Sequence, residues 1–152
     1  MDEFLGFADI YVLSEYRSQK LIDEFLEEFV PRRKESSDEY YVPYLADNPN
    51  QIFYSYSDLI AHCILHPKET NAIYFSNEKN EDPQSAMIFF TDDGKTILGL
   101  SIEKEQYEVH FLDRLKDFCR SKNGYITYED IPPLNSNDFL KKMKELSDNN
   151  MV

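Results

Sequence analysis

An antiparallel hairpin is encoded by AMIFFTDDGKTILGLSI, residues 86–102, and the other predicted elements are arranged around it. Two apolar runs, Ala86–Phe90 and Thr96–Ile102, flank the residues TDDGK. A glycine that can take positive φ after two aspartates is typical of a hairpin turn. Both runs are almost continuously apolar, so we expect two strands in the interior of a sheet. Gly99 lies inside the second run and predicts either a bulge or a close approach of another segment.

Strand and helix patterns alternate on both sides of this hairpin. Before it, the patterns predict a strand at Phe7–Leu13, a helix capped by Ser14 that runs to Val30, a strand at Ile52–Tyr54, a helix capped by Ser57 that ends at His66-Pro67, and a strand at Ala72–Phe75. After it, they predict a helix from about Gln106 to Ser121 with a stop at Asn123-Gly124, a strand at Tyr125–Tyr128, and a helix capped by Ser136.

The resulting order, β-α-β-α-β-β-β-α-β-α, predicts a single α+β domain. We expect about six strands in a mixed or mostly antiparallel sheet that carries four helices. The domain is predicted to cover residues 1–147, with a frayed tail over residues 148–152. The pattern leaves the order of the strands in the sheet open.

A long connection interrupts this pattern between Pro31 and Pro49. It contains three prolines, a mixed run of charges and three tyrosines: Tyr40, Tyr41 and Tyr44. Connections longer than about 12–15 residues are uncommon in compact domains and are often functional. This segment is therefore the first candidate for a binding site.

The net charge of the chain limits the classes of molecule that it can bind. The 152 residues carry 16 Lys and Arg against 29 Asp and Glu, a net charge of −13. Direct binding to a nucleic-acid backbone needs a basic stripe, which this composition lacks. Two interpretations of the acidity stay open: it keeps the protein soluble, or it complements a basic partner.

Common catalytic and metal-binding motifs are incomplete in this sequence. Four glycines cannot build a dinucleotide or phosphate loop. Ser101 lies in a GxSxG-like stretch in which Glu103 replaces the second glycine, so we expect an ordinary strand end there. His62 and His66 have the spacing of two zinc ligands on one helix, but no HExxH signature surrounds them. Asp92-Asp93-Gly94 lacks the other ligands of a calcium loop. We predict no catalytic residue, no metal and no cofactor.

The cysteines and the apolar runs indicate the compartment. Cys63 and Cys119 lie far apart in helical patterns, which favours two buried thiols over a disulfide and predicts a reduced, cytoplasmic protein. The N-terminal residues lack the pattern of a secretory signal. The longest apolar run has five residues, Ala86–Phe90, far fewer than the ~20 that span a bilayer. We expect no membrane association.

The chain resembles the small acidic α+β immunity proteins of bacterial polymorphic toxin systems. The resemblance is carried by the Phe29–Arg32 helix exit, the Glu35–Pro43 segment, the Ala86–Gly94 hairpin and residues Gly124–Thr127. It covers most of the chain at the level of layout. It implies a cytoplasmic inhibitor that binds a cognate toxin domain, often a basic nuclease, and covers its active site.

Our leading hypothesis is therefore a non-catalytic binding protein, a monomer or weak homodimer, with a basic protein partner. Its predicted partner-binding residues combine tyrosines with loop carboxylates: Glu35, Asp38, Glu39, Tyr40, Tyr41, Tyr44, Glu78, Glu81 and Asp82. A second hypothesis is a small regulatory or ligand-binding domain that holds a metabolite between sheet and helices. A third is a metal-dependent enzyme that uses His62 and His66.

Overall fold

Six strands form one antiparallel sheet in the computed structural model of the chain, which describes residues 7–149. In chain order the elements are β1 (Ala8–Ser14), α1 (Gln19–Phe29), β2 (Arg33–Glu35), β3 (Tyr40–Val42), β4 (Gln51–Phe53), α2 (Tyr56–Leu65), β5 (Asn71–Asn77), β6 (Ser85–Phe90), β7 (Thr96–Ile102), a 3-10 turn (Glu105–Tyr107), α3 (Glu108–Cys119), β8 (Gly124–Tyr128) and α4 (Ser136–Asn149). The large sheet has the order β2-β5-β6-β7-β1-β8, and β3 pairs with β4 in a separate two-stranded sheet. The predicted α+β class is confirmed.

The predicted hairpin lies in the middle of the sheet as β6 and β7. Its register runs without a break from Phe90 opposite Thr96 to Ser85 opposite Ser101, so no bulge interrupts it. Gly94 takes φ +86° in the turn, a conformation that glycine adopts without strain. A Cβ on Gly99 would lie 2.8 Å from Cδ1 of Tyr11 on β1. The close approach predicted at Gly99 is therefore confirmed, and the approaching group is an aromatic ring.

Helices cover both faces of the sheet. On one face, Ile10 and Val12 of β1 belong to a core with buried side chains of α1, α2 and α3. On the other face, Tyr11 and Leu13 belong to a second core with Phe139 of α4. The alternation along β1 follows from the two-residue repeat of a strand. Three helices thus pack on one face and α4 packs on the other.

Three predicted helix caps lie at the wrong serine. Ser14 is the last residue of β1, and the Oγ of Ser18 accepts the N–H of Leu21 at 3.1 Å as the cap of α1. Ser55, not Ser57, caps α2 by accepting the N–H of Asp58 at 3.2 Å.

The caps at the C-terminal half of the chain also differ. Asn135 caps α4 in place of Ser136, because its Oδ1 accepts the N–H of Asp138 at 3.1 Å. The stop of α3 is Arg120 at φ 52°, whereas Gly124 already belongs to β8. The local sequence supplies several polar candidates for the cap at each helix end, so the sequence pattern alone does not choose among them.

The long connection between Pro31 and Pro49 is partly regular. Its first part forms β2, which pairs with β5 at one edge of the large sheet, and its second part forms β3. Tyr40 and Val42 contribute to the core under the three helices, whereas Tyr44 packs on the core of the opposite face. The segment therefore wraps around the β2–β5 edge of the sheet.

Two further expectations concern the thiols and the tail. Cys63 and Cys119 are both buried and free, and burial raises the pKa of each thiol to about 12. The tail predicted over residues 148–152 begins within α4, and residues 150–152 lie outside the described residues. Among residues 7–149, no helix combines the length and apolar character that crossing a bilayer requires.

Candidate interaction surface

The predicted partner-binding residues fall into two groups at opposite ends of β5. Most of one group lines a cleft of about 450 Å³ whose walls include Asn71 and Ala72 at the start of β5, whereas Glu35 lies opposite Phe75. The other group, Glu78, Glu81 and Asp82, follows the end of β5. A strand of this length spans roughly 20 Å. The two groups therefore do not form one continuous site.

Tyr40 supports the first group from beneath. Its side chain is 5% exposed, and its hydroxyl donates a hydrogen bond to the carboxylate of Glu35. Burial and this hydrogen bond together raise the pKa of Tyr40. Glu35 pairs through its backbone with Phe75 of β5. Both residues thus fix the segment to the sheet edge and leave little side-chain surface of Tyr40 for a partner.

Tyr41, the next residue, points outward. Its side chain is 37% exposed, and its hydroxyl donates to Oε1 of Glu39 at 2.8 Å, which raises the pKa of Tyr41. Its backbone carbonyl accepts a hydrogen bond from Nδ2 of Asn71 at 2.8 Å. Strand alternation explains the difference between neighbours, because successive side chains of β3 face opposite sides.

Three exposed apolar side chains lie around Tyr41. Ile52 is its cross-strand partner on β4, Tyr54 follows Ile52 by two residues, and Leu45 lines the same cleft as Tyr41. Leu45 and Tyr54 are 75% and 69% exposed. We call Tyr41, Leu45, Ile52 and Tyr54 the aromatic surface. Sequence reasoning missed the last three; the alternation of Ile52 and Tyr54 with the inward Phe53 is the signal that could have found two of them.

Leu45 combines two features that do not stabilise the isolated domain. Its backbone has φ 61°, the left-handed region, which costs a residue other than glycine roughly 1–2 kcal/mol. Its large apolar side chain projects into water. Strained backbone and exposed apolar groups concentrate at functional surfaces. A contact partner would give both features a role.

Carboxylates border the aromatic surface. Asp38 and Glu39 line the cleft together with the rings of Tyr41, Tyr44 and Tyr74. Among the described residues that line this cleft, none is Lys or Arg. Burial raises the pKa of Tyr44, whose ring packs partly onto the sheet. The result is an apolar and aromatic centre with an acidic rim, defined here as Asp38 and Glu39.

The second acidic group is used partly within the fold. The carboxylate of Asp82 accepts the backbone N–H of Glu103 at 2.8 Å and that of Lys104 at 3.1 Å. Glu78 and Glu81 remain exposed. Asp82 and Glu81 border an open groove of about 700 Å³ whose other wall carries Tyr107, His110 and Phe111. Asp82 thus holds the groove wall in place.

The two histidines of α2 stack on each other. Their ring centroids are 4.2 Å apart, and Nδ1 of His66 lies 2.8 Å from the backbone carbonyl of His62. Burial, followed by the neighbouring His66, lowers the pKa of His62. Within residues 7–149, no group of three or more His, Cys, Asp or Glu side chains is placed to hold a metal ion.

Ser101, the residue of the GxSxG-like stretch, lies on β7. Its hydroxyl donates to Oδ1 of Asp9 at 3.2 Å, across the β1–β7 pair. Burial raises the pKa of Asp9.

Comparisons of the chain with protein-family models, with curated proteins and with solved structures gave no significant match.

Proposed function

We propose that the chain is a non-catalytic binding protein that contacts a basic protein through the aromatic surface and the acidic rim. The supporting observation is the exposed cluster of Tyr41, Leu45, Ile52 and Tyr54 beside two carboxylates. Interfaces concentrate their binding energy in a few aromatic and apolar side chains, and charges at the rim select the partner. The net charge of −13 adds long-range attraction for a basic protein.

We further propose that this partner is a toxin or enzyme that the chain neutralises. The resemblance to immunity proteins supplies this idea, and the acidic rim is consistent with it. An inhibitor that covers a basic active site gains association rate from opposite charge, up to about 10⁸–10⁹ M⁻¹s⁻¹ at low salt. The buried free thiols of Cys63 and Cys119 fit a reduced compartment, and we propose the cytoplasm.

The test is a pull-down from the source cell's lysate at low and moderate salt, followed by mass spectrometry. Three baits are compared: the wild-type chain, a Tyr41→Ala/Tyr54→Ala variant and an Asp38→Lys/Glu39→Lys variant. We expect one basic protein on the wild-type bait, and an affinity about thirtyfold lower for the tyrosine variant, equivalent to about 2 kcal/mol. The charge variant should bind more weakly and with less dependence on salt.

Matched controls separate this site from the rest of the surface. Tyr16→Ala removes a tyrosine that is 68% exposed, and Asp113→Lys/Asp117→Lys reverses two exposed charges on α3. Both controls should retain the partner. Equal capture by all variants would remove the aromatic surface as the site. The purified partner is then assayed with the chain at equal concentration; an unchanged activity would refute inhibition while leaving binding intact.

Small-molecule binding is a second candidate function, and the groove beside the 3-10 turn favours it. The groove brings Gln84, Lys104, Tyr107 and His110 to one opening of about 700 Å³, within the size range of ligand sites. One of its lining residues, Phe111 of α3, also belongs to the core between the sheet and the helices. A metabolite screen by thermal shift tests it: a ligand whose stabilisation disappears in Tyr107→Ala would support this candidate.

A further inference from the structure

The strand β8 forms the edge of the large sheet farthest from the aromatic surface. The order β2-β5-β6-β7-β1-β8 places β2 and β8 at opposite edges, which are roughly 24 Å apart at the usual strand spacing. β1 is the one strand that pairs with β8 among the described residues. Within residues 7–149, the outer side of β8 therefore has no strand partner, and an edge of this kind can pair with another strand.

The register shows which backbone groups of β8 point outward. The N–H of Leu13 donates to the carbonyl of Asn123 at 2.8 Å, just before β8 begins. Hydrogen-bonded and non-hydrogen-bonded pairs alternate in an antiparallel ladder, so Tyr125 and Thr127 bond to β1. Ile126 and Tyr128 consequently turn their N–H and C=O groups outward. Within residues 7–149, neither residue makes a backbone hydrogen bond on that side.

A groove of about 710 Å³ lies between α3 and α4 beside the first part of this edge, from Gly124 to Ile126. Tyr125, Ile126, Leu140, Met143 and Leu146 supply its apolar lining. The apolar residues of α4 and the strand edge thus lie side by side. A strand added to β8 could place alternate side chains against them, because successive side chains of a strand face opposite sides.

The groove is also locally basic in a strongly acidic protein. Its charged lining residues are Lys116 on α3, Lys122 before β8 and Lys144 on α4. Among residues 7–149, no Asp or Glu lines the groove and none of the three lysines forms a salt bridge. A chain with a net charge of −13 would gain little solubility from such a cluster. A cluster of lysines is complementary in charge to an acidic ligand.

We propose that β8 binds an extended acidic segment of a partner protein, which adds as a seventh strand beside Ile126 and Tyr128. The open backbone groups supply affinity, the apolar lining receives alternate side chains, and the three lysines select Asp and Glu. Pairing of β8 with a second copy of this chain would bring three lysines against three, which disfavours a homodimer. The site is independent of the aromatic surface and of the proposed basic partner.

The test selects peptides of about ten residues, enough for one strand, from a displayed random library against the purified chain. Affinities of the enriched peptides are measured by fluorescence anisotropy. The charge variant is Lys116→Glu/Lys122→Glu/Lys144→Glu, and the matched control reverses three exposed lysines elsewhere, Lys20→Glu/Lys68→Glu/Lys79→Glu. Circular dichroism establishes that both variants fold.

We expect enriched peptides that combine acidic with β-branched residues. Their affinity should fall at least about tenfold in the charge variant and stay unchanged in the control. Amide hydrogen exchange at Ile126 and Tyr128 should slow at least about tenfold when peptide binds. Two versions of the peptide carry N-methylated amides on alternate residues, one version for each alternate set. Only the version whose methylated amides face β8 should lose binding, because N-methylation removes the donors of the strand pairing.

Several outcomes would overturn the proposal. They are the absence of any enriched peptide, enrichment of neutral or basic peptides, and equal affinity for wild type and charge variant. Unprotected amides at Ile126 and Tyr128 would also overturn it. A dimer in sedimentation with those two amides protected before peptide is added would assign the edge to a second copy. If none of the peptides binds, the proposal is wrong, and the three lysines instead protect the open edge from pairing with other chains.

Discussion

Arg17 donates a hydrogen bond from Nη1 to the backbone carbonyl of Cys63 at 3.0 Å, and so joins the start of α1 to the last turn of α2. Its Nη2 also donates to the carbonyl of Lys95, in the turn between β6 and β7, at 3.0 Å. The last carbonyls of a helix lack partners within the helix, and a guanidinium with five donors can satisfy several at once. The Arg17 guanidinium also lies 5.0 Å from the centroid of Phe90.

We predict that Arg17→Met lowers the free energy of unfolding by about 2–3 kcal/mol, because several charge-assisted hydrogen bonds are lost together. Urea denaturation measures this loss. The control is Arg32→Met, an exposed arginine whose replacement should change stability by less than about 0.5 kcal/mol. A change for Arg17→Met as small as the control would show that water replaces the guanidinium at little cost.

Arg17 also shows why part of the fold could not be predicted from the sequence. Its acceptors include the carbonyls of Cys63, Glu69 and Lys95, which lie 46 to 78 residues away along the chain. No local pattern predicts such a network. The β6–β7 hairpin, by contrast, depends on a turn signal and two apolar runs within 17 residues of sequence, and it was predicted with nearly the observed bounds.

The candidate site could be predicted only in outline. The prolines mark the segment as unusual, but the sequence of Tyr40, Tyr41 and Tyr44 does not indicate which of these side chains face water. That choice depends on the pairing of β3 with β4, which sets Tyr41 outward and Tyr40 inward. Leu45 joins the surface through a left-handed backbone that its own residue type disfavours. The pairing of β3 with β4 and the backbone conformation of Leu45 therefore decide which side chains form the candidate site.

Gly99 should tolerate no side chain while Tyr11 is present. A Cβ there would lie 2.8 Å and 2.9 Å from two ring carbons of Tyr11. Because the interior is close-packed, we expect Gly99→Ala to lower the free energy of unfolding by about 1–3 kcal/mol. The loss should shrink in a Tyr11→Leu background, which is measured as a double-mutant cycle by urea denaturation.

Gly94→Ala is the matched control for this cycle. It also adds one methyl group, but its cost of about 1 kcal/mol arises from φ +86° and not from Tyr11. Its effect should therefore be the same in both backgrounds. Equal costs of Gly99→Ala with and without Tyr11 would show that the backbone shifts to accommodate the methyl group.

Stability should fall steeply in alkaline solution. Burial raises the pKa of Cys63 and of Cys119 from 9.0 to about 12, and that of Tyr74 from 10.0 to about 12. The folded protein thus holds these protons more tightly than the unfolded chain. Their contribution to stability is complete below about pH 9 and is lost as the pH rises to about 12. Denaturant titrations from neutral to alkaline pH measure the decline.

The two thiols supply a distinct part of this slope. Each contributes up to about 1.4 kcal/mol per pH unit between the unfolded and the folded pKa. A Cys63→Ala/Cys119→Ala variant should therefore show a shallower decline between about pH 9 and pH 10, before the tyrosines contribute. Identical slopes for wild type and the double cysteine variant would place the thiols in contact with water.

Adjacent tyrosines should separate folding from binding. Tyr40 is 5% exposed and its hydroxyl bonds to Glu35, so we expect Tyr40→Ala to lower the free energy of unfolding by about 3–5 kcal/mol. Tyr41 is 37% exposed and its hydroxyl bonds to the exposed Glu39, so Tyr41→Ala should cost less than about 1 kcal/mol. Thermal and urea denaturation of the two variants measure the difference.

We expect the opposite order when partner binding is measured: changes at Tyr41 should weaken binding more than changes at Tyr40. Tyr40→Phe keeps the ring and removes only the hydroxyl, so it should bind the captured partner like wild type while it is less stable. Tyr41→Ala should fold like wild type and bind the partner more weakly, since its ring is the part of β3 that reaches solvent. If Tyr41→Ala loses stability as Tyr40→Ala does, the outer ring belongs to the fold and the interface lies elsewhere.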